Sequence, residues 1–402
     1  MENKLKRLVE KGVMITSPST VEIGDDVDID RISGDNVTIF GGCRIFGKNT
    51  WISKGCTLGK EGPVTLDNCW LGPEVKIQGG YVNSSVFLNK ASVGYGAHIR
   101  EGCILEEEAS TAHTVGLKQT ILFPFVTLGS LINFCDCFMA GGTSRKNHSE
   151  VGSSYIHFNY TPNQDKATAS LIGDVPRGVM LNSRPIFLGG QGGLVGPCRL
   201  NFGTVIAAGT IQRKDETEPD RLLFGGALRP GNIKHTPGQF QNIPRVVKNN
   251  LFYIANLVSL MNWYKHVRSR FISESFPAPL LEGLETTLDL GIKERIKRFK
   301  DFLDKAFMAK CPDETKALAG GWPNITHELE QQLDSDSIAC DEQYRRFSDL
   351  LDRDLQTSGT GQYTEAIQKL TPLTSVAGTA WLSAIVDGFI EKTCGHIPGM
   401  KS

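Results

Sequence analysis

Residues 141–174 gather side chains able to do chemistry: Arg145, Lys146, His148, His157, Asn159, Tyr160 and Lys166. An imidazole that titrates near neutrality suits the removal of a proton from an attacking amine or hydroxyl. A carboxamide fixes a polar group in one orientation, a phenol offers a flat surface and a donor, and an ammonium or guanidinium meets a phosphate. His148, in SRKNH, and His157, in IHFNY, compete for the role of base. The bland alternative is a solvated loop, in which asparagine and proline make turns and the basic residues face water.

The elements that must position these residues have a short period. In VEIGDDVDI, apolar residues fall at Val21, Ile23, Val27 and Ile29. The beat returns in NVTIFGGCRIFG, NCWLGPEVKI and ASVGYGAHIREGCIL, and after the polar passage 157–174 in IFLGG, GLVGP and TVIAAGTI. A beat of six fits neither an amphipathic helix nor a hairpin. It fits a parallel β-helix, in which each short face sends one aliphatic residue inward and turns on a small one. The 43 glycines among 402 residues belong to that architecture, since glycine accepts the positive φ of a tight corner. Cys43, Cys56, Cys69 and Cys103 each stand two residues before an aliphatic beat, and so are expected to point inward as small hydrophobes. The repeat runs over about 19–213. Segments around 106–120 and 143–170 fit it badly and are expected as loops.

From Val246 the spacing turns helical, with Leu251, Ile254, Leu257, Val258 and Met261 on one stripe. The aromatic residues Phe252, Tyr253, Trp263 and Tyr264 are expected in the core or on a packing surface. The domain reading is an N-terminal cap over 1–18, a β-helix over 19–213, a linker over 214–245 and an α-helical domain over 246–402. Lys+Arg is 43 and Asp+Glu is 44, which points away from nucleic acid and from a charged membrane surface. The charged N-terminal stretch, the lack of a long apolar run and the ten cysteines point to a cytoplasmic protein with reduced thiols. CxxC is absent and Cys135-x-Cys137 is a poor zinc spacing, so no metal is expected.

FNYTPNQDKATASLIGDV (158–175) and TVIAAGTIQRKD (204–215), with GGTSRKNH (141–148) ahead of them, resemble the acetyltransferase domain of bacterial bifunctional UDP-N-acetylglucosamine pyrophosphorylase. The match is best over 140–215 and generic over 19–140. It implies a left-handed parallel β-helix, followed here by an all-α domain foreign to that family. It also implies trimers with active sites between subunits and acetyl-CoA as co-substrate. A sugar phosphate or nucleotide sugar would be the acceptor, with His148 as base and His157 as its alternative. Asn159 and Tyr160 would contact the sugar, and Lys166 would neutralise phosphate. Arg145 and Lys146 are further candidates for phosphate. His148 lies closer to Asn159 than the family's spacing has it. The glycine-rich nucleotide loop of the family's other half does not occur in this sequence, and GGQGG at 189–193 has no helix after it, so uridylyl transfer by this chain alone is not expected. Two rival readings stand beside acyl transfer. One is a non-catalytic trimeric scaffold whose helical domain binds a protein partner. The other is a metal site like that of γ-class carbonic anhydrases, built from His113, His148 and His157.

Overall fold

The protein is described here from a computed structural model covering residues 2–225, 230–232, 240, 242–308 and 342–394. Parts of the expected linker and of the expected α-helical domain lie outside the described residues.

After helix α1 (Glu2–Glu10), short parallel strands wind into a three-faced solenoid. The first face stacks eleven of them, from Met14–Ile15 to Leu222–Leu223. The second face begins at Glu22–Ile23 and the third at Trp51–Ile52. Two long strands, Gly116–Leu122 and Asn133–Met139, bend round the edge between the second and third faces and pair on both. The register lays one inward residue over the next. On the second face Ile23, Ile45, Leu66, Val82, Ile99, Leu117 and Phe134 are successive partners, each at most 1% exposed. Cys43, Cys56, Cys69 and Cys103 are fully buried beside such columns. Burial pushes the thiols of Cys56, Cys69 and Cys103 up to about 12, so they are chemically inert.

Glycine does not carry the corners alone. Between the second and third faces, one left-handed residue turns each coil: Asn68, Ser84, Gly102, Gln119 and then Asp136. Each N–H in this row from Asn68 to Gln119 donates to a carbonyl of the coil before it, which offsets the strain of a positive φ in a side-chain-bearing residue. This corrects the expected loop at 106–120. Gly116–Leu122 is a seven-residue strand, and Lys118-Gln119-Thr120 is a polar corner in register rather than a break. The expected loop at 143–170 also shrinks. Glu150–Val151 and Ile156–Phe158 hold their places on the first and second faces. Only 140–149 and 159–169 leave the solenoid wall.

Among the described residues, five further helices follow the short α2 (Val175–Gly178): α3 (Ile243–His266), α4 (Ala278–Met308), α5 (Glu342–Ser358), α6 (Tyr363–Gln368) and α7 (Pro372–Cys394). α3 and α4 cover the third face. α4 lies on strands Trp70–Leu71, Ser85–Phe87 and Cys103–Leu105. The approach is close at Gly283, where a Cβ would meet the Trp70 ring at 2.6 Å. Tyr253, Trp263 and Tyr264 are buried, and the Trp263 ring stacks on Phe347 at 6.0 Å. Within Pro372–Thr393 lies a helix long and apolar enough to cross a membrane, yet 56% of its most apolar stretch is buried against the protein, as in a core helix.

A polar cluster locks the helices to the solenoid. Arg268 Nη2 meets Glu107 Oε1 at 2.5 Å, and the Tyr264 hydroxyl donates to Glu106 Oε1 at 2.6 Å. Burial, and then the neighbouring Glu107 charge, raise Glu106 from 4.5 to about 7. A carboxyl whose folded pKa is raised contributes fully below its unfolded pKa, and that contribution is lost as pH rises through the folded value. Thermal unfolding of the native chain is therefore expected to lose stability between about pH 5 and 8 relative to Glu106→Gln. Parallel melting curves for the two proteins would contradict this coupling.

Candidate functional site

The two excursions from the wall carry the candidate residues. The first, 140–149, fills the corner between the third and first faces and contains an antiparallel pair, Gly142–Ser144 with Asn147–His148. Gly142 must be glycine: its φ is +100°, and a Cβ there would meet His148 Cα at 2.5 Å. The Gly142 N–H donates to Ser183 O at 3.0 Å, and the Asn147 amide donates to Thr143 Oγ1 at 2.9 Å. Gln368 of α6 donates to Thr143 O. His148 is thus held on a braced hairpin, its side chain 18% exposed. Its Nε2 is 3.9 Å from Glu150 Oε2, too far for a hydrogen bond, and its buried Nδ1 has no partner among the described residues.

Arg145, on the same hairpin, reaches back over the corner. Its Nη1 donates to Glu108 O at 3.0 Å, Phe125 O at 3.1 Å and Thr127 Oγ1 at 2.9 Å. Those bonds close three carbonyl and hydroxyl positions on the solenoid wall and fix the guanidinium there. Lys146 is exposed.

The second excursion, 159–169, stands one coil further on. It replaces the single-residue corner that Asp136 makes in the coil below, because Asn133 pairs with Ile156 and Cys137 with Ser170. Asn159 is half-buried at its root and donates from Nδ2 to Asp136 Oδ2 at 3.3 Å. Tyr160 is 59% exposed and Lys166 is exposed. The Thr161 hydroxyl donates to the Asp165 carboxylate across the loop.

His157 behaves differently from His148. Its Nδ1 lies 2.6 Å from Cys135 O and its Nε2 lies 2.8 Å from Ser170 Oγ. A carbonyl only accepts, so Nδ1 carries the proton and Nε2 accepts from Ser170, which itself accepts the Cys198 N–H at 3.0 Å. Burial lowers the imidazole from 6.5 to about 4. With both nitrogens engaged and 3% exposure, this ring has no lone pair for an incoming proton or a metal. His113 shares a 2.9 Å bond with Ser130 Oγ on an exposed corner.

The solenoid therefore brings Asn159, Tyr160 and Lys166 together on one edge. It sets His148, Arg145 and Lys146 on another edge, with the helix-covered third face between them. Two partners of the loop went unread in the sequence, Asp136 and Arg295. Arg295 of α4 meets Asp136 Oδ1 at 2.8 Å, both side chains at most 5% exposed. The available signal was an acid inside the otherwise apolar run FCDCFM.

No family model matches the chain. Curated relatives do. A Thermotoga maritima protein named bifunctional protein GlmU is 28% identical over 225 residues, 56% of this chain and 44% of its own length. Its namesakes in Nitratidesulfovibrio vulgaris and Fervidobacterium nodosum are 27% and 29% identical over 235 and 223 residues. Over its first half this chain is similar to the GlmU proteins. The solenoid and the identity together fit the hexapeptide-repeat acetyltransferase domain of GlmU. The chain spans less than half the length of these relatives, about 44–45%.

The His157 geometry has a direct check. In long-range ¹H–¹⁵N spectra, one ring is expected as the neutral Nδ1–H form, unchanged from pH 8 to pH 5. A His157 resonance titrating near 6.5 would contradict the buried relay.

Proposed function

We propose that this chain is an acyltransferase related to the acetyltransferase domain of GlmU, moving an acetyl group from acetyl-CoA to a sugar phosphate or nucleotide sugar. The observation that carries the reading is the replaced corner at 159–169. A solenoid that turns with one residue in coil after coil extrudes a polar loop here, and the loop presents an exposed phenol and an exposed ammonium beside an oriented carboxamide. Asn159 spends an N–H on Asp136, which leaves its Oδ1 to accept from a sugar hydroxyl or amine. Lys166 meets the phosphate and Tyr160 packs against the sugar.

His148 takes the role of base because its ring keeps free nitrogen capacity while that of His157 is consumed. The attacking group gives its proton to His148 as its lone pair adds to the thioester carbonyl, and the CoA thiolate leaves as the tetrahedral intermediate collapses. Hairpin and loop occupy different edges of one solenoid, so the complete site forms between copies of a homotrimer, the hairpin of one facing the loop of the next. The protein would act in the cytoplasm, where acetyl-CoA and nucleotide sugars meet. The scaffold reading has one observation in its favour: the guanidinium of Arg145 is already bonded to the solenoid, which removes a candidate phosphate ligand from the site.

Titration calorimetry with acetyl-CoA and with UDP-N-acetylglucosamine tests the proposal. Native protein is expected to bind at least one of them. Tyr160→Ala combined with Lys166→Ala should weaken binding roughly tenfold to a hundredfold, the worth of a charge-assisted hydrogen bond. His148→Ala should keep binding and lose about 10²–10⁴-fold in kcat. No heat with either ligand from folded protein would refute the transferase and favour the scaffold.

A further inference from the structure

The helical domain is large, and it holds the loop directly at two points and through Asp136 at a third. Arg295 of α4 pairs with Asp136, whose other oxygen accepts from Asn159. Lys305, near the end of α4, donates to Gln164 O at 2.8 Å. Asn250 of α3 donates to Ala167 O at 2.8 Å. The root, tip and return of the loop are each tied to a helix or to a residue that a helix holds.

We infer that the helical domain is a clamp that sets the acceptor-binding loop, with Arg295 as a positioning residue acting through Asp136 on Asn159. This deepens the proposed function and rests on it for the identity of the ligand, though not for the clamp itself.

The Arg295–Asp136 pair is poorly built for stability. Nε and Nη1 of Arg295 are buried without a partner among the described residues. A buried ion pair with unsatisfied donors rarely repays the removal of its charges from water, and an apolar pair of similar volume often folds as well. What the pair does supply is direction. Asp136 already sits at a left-handed corner, φ +61°, which aims its carboxylate from the corner towards the loop root. Arg295 takes Oδ1 and so leaves Oδ2 for the Asn159 amide. The carboxamide is then fixed with its N–H₂ inward and its oxygen free. Without Arg295, an uncompensated Asp136 would draw in water or the proton of a neighbour, and Asn159 would lose its orientation. The same arrangement explains why α4 continues past the third face to Lys305: its last turns reach the loop tip.

The test uses the full-length protein and three variants: Arg295→Lys, Arg295→Met, and Asp136→Leu with Arg295→Met. The double variant leaves no uncompensated charge, so it is the one expected to melt close to the native protein. Two readouts are taken. Amide exchange of peptides spanning 159–169 should rise about tenfold in the double variant, while the solenoid and helices keep native protection, and Arg295→Lys should restore most of the loop's protection. In acetyl transfer to glucosamine 1-phosphate, KM for the sugar should rise at least tenfold in the double variant with kcat changed less, and Arg295→Lys should recover it. Native loop exchange in a folded double variant would overturn the clamp. So would an exchange increase spread evenly over the molecule, since that marks a merely structural pair. If native protein transfers no acetyl group, the acyltransferase reading fails and the exchange result still decides the clamp.

Discussion

Each coil of this protein must lay its inward aliphatic residue over the one below. The column Ile23, Ile45, Leu66, Val82, Ile99, Leu117 and Phe134 shows the constraint held across seven successive coils. A slip of one residue would turn that column outward and break the ladder. Extra residues therefore cannot be absorbed within a face. They are expelled at the corners, where one left-handed residue otherwise suffices. The hairpin 140–149 and the loop 159–169 are such expulsions, in consecutive coils and at different edges. Register is what fixes their roots, and their roots fix where His148 and Asn159 stand.

The second constraint comes from the helices on the third face. Packing there is apolar and close, as at Gly283 against Trp70, but the register of the two parts is set by a few buried charges. Arg268 with Glu107 and Arg295 with Asp136 are two of them, and the part-buried Arg245 with Asp215 adds a third pair. Such pairs contribute little net stability once desolvation is counted, yet they are unforgiving of a wrong partner. The arrangement reads as a set of anchors that choose one docking pose for an otherwise greasy contact. The Arg295–Asp136 pair lies beside the polar loop, so the docking pose also bears on where Asn159 stands.

Much of this was legible in the sequence, because a short repeat reports on its own coil. The beat of apolar residues announced the solenoid, and the cysteines two residues ahead of it announced their own burial. The 157–174 break announced the loop. What misled was the assumption that small residues make the corners. Gln119 turns as well as glycine when a carbonyl of the preceding coil receives its N–H, so the in-register strand at 116–122 reads as irregular in the sequence. The pairing of Asp136 with Arg295 was out of reach for a different reason. It joins residues far apart in the chain, across two domains, and no local pattern encodes which acid meets which base. His157 shows the same limit: its type suggested a base, while its two bonds, to Cys135 and Ser170, come from different coils.

The proposed acyltransferase requires the extruded corner at 159–169 to be a ligand site. The most direct test is a crystal structure of the full chain grown with acetyl-CoA and glucosamine 1-phosphate. Sugar phosphate is expected between copies of the chain, its phosphate at Lys166, its ring against Tyr160 and its amine within reach of Asn159 Oδ1 and of His148 from the neighbouring copy. Ligand bound elsewhere with the 159–169 loop bare, or copies that leave the hairpin and loop edges facing solvent, would contradict it.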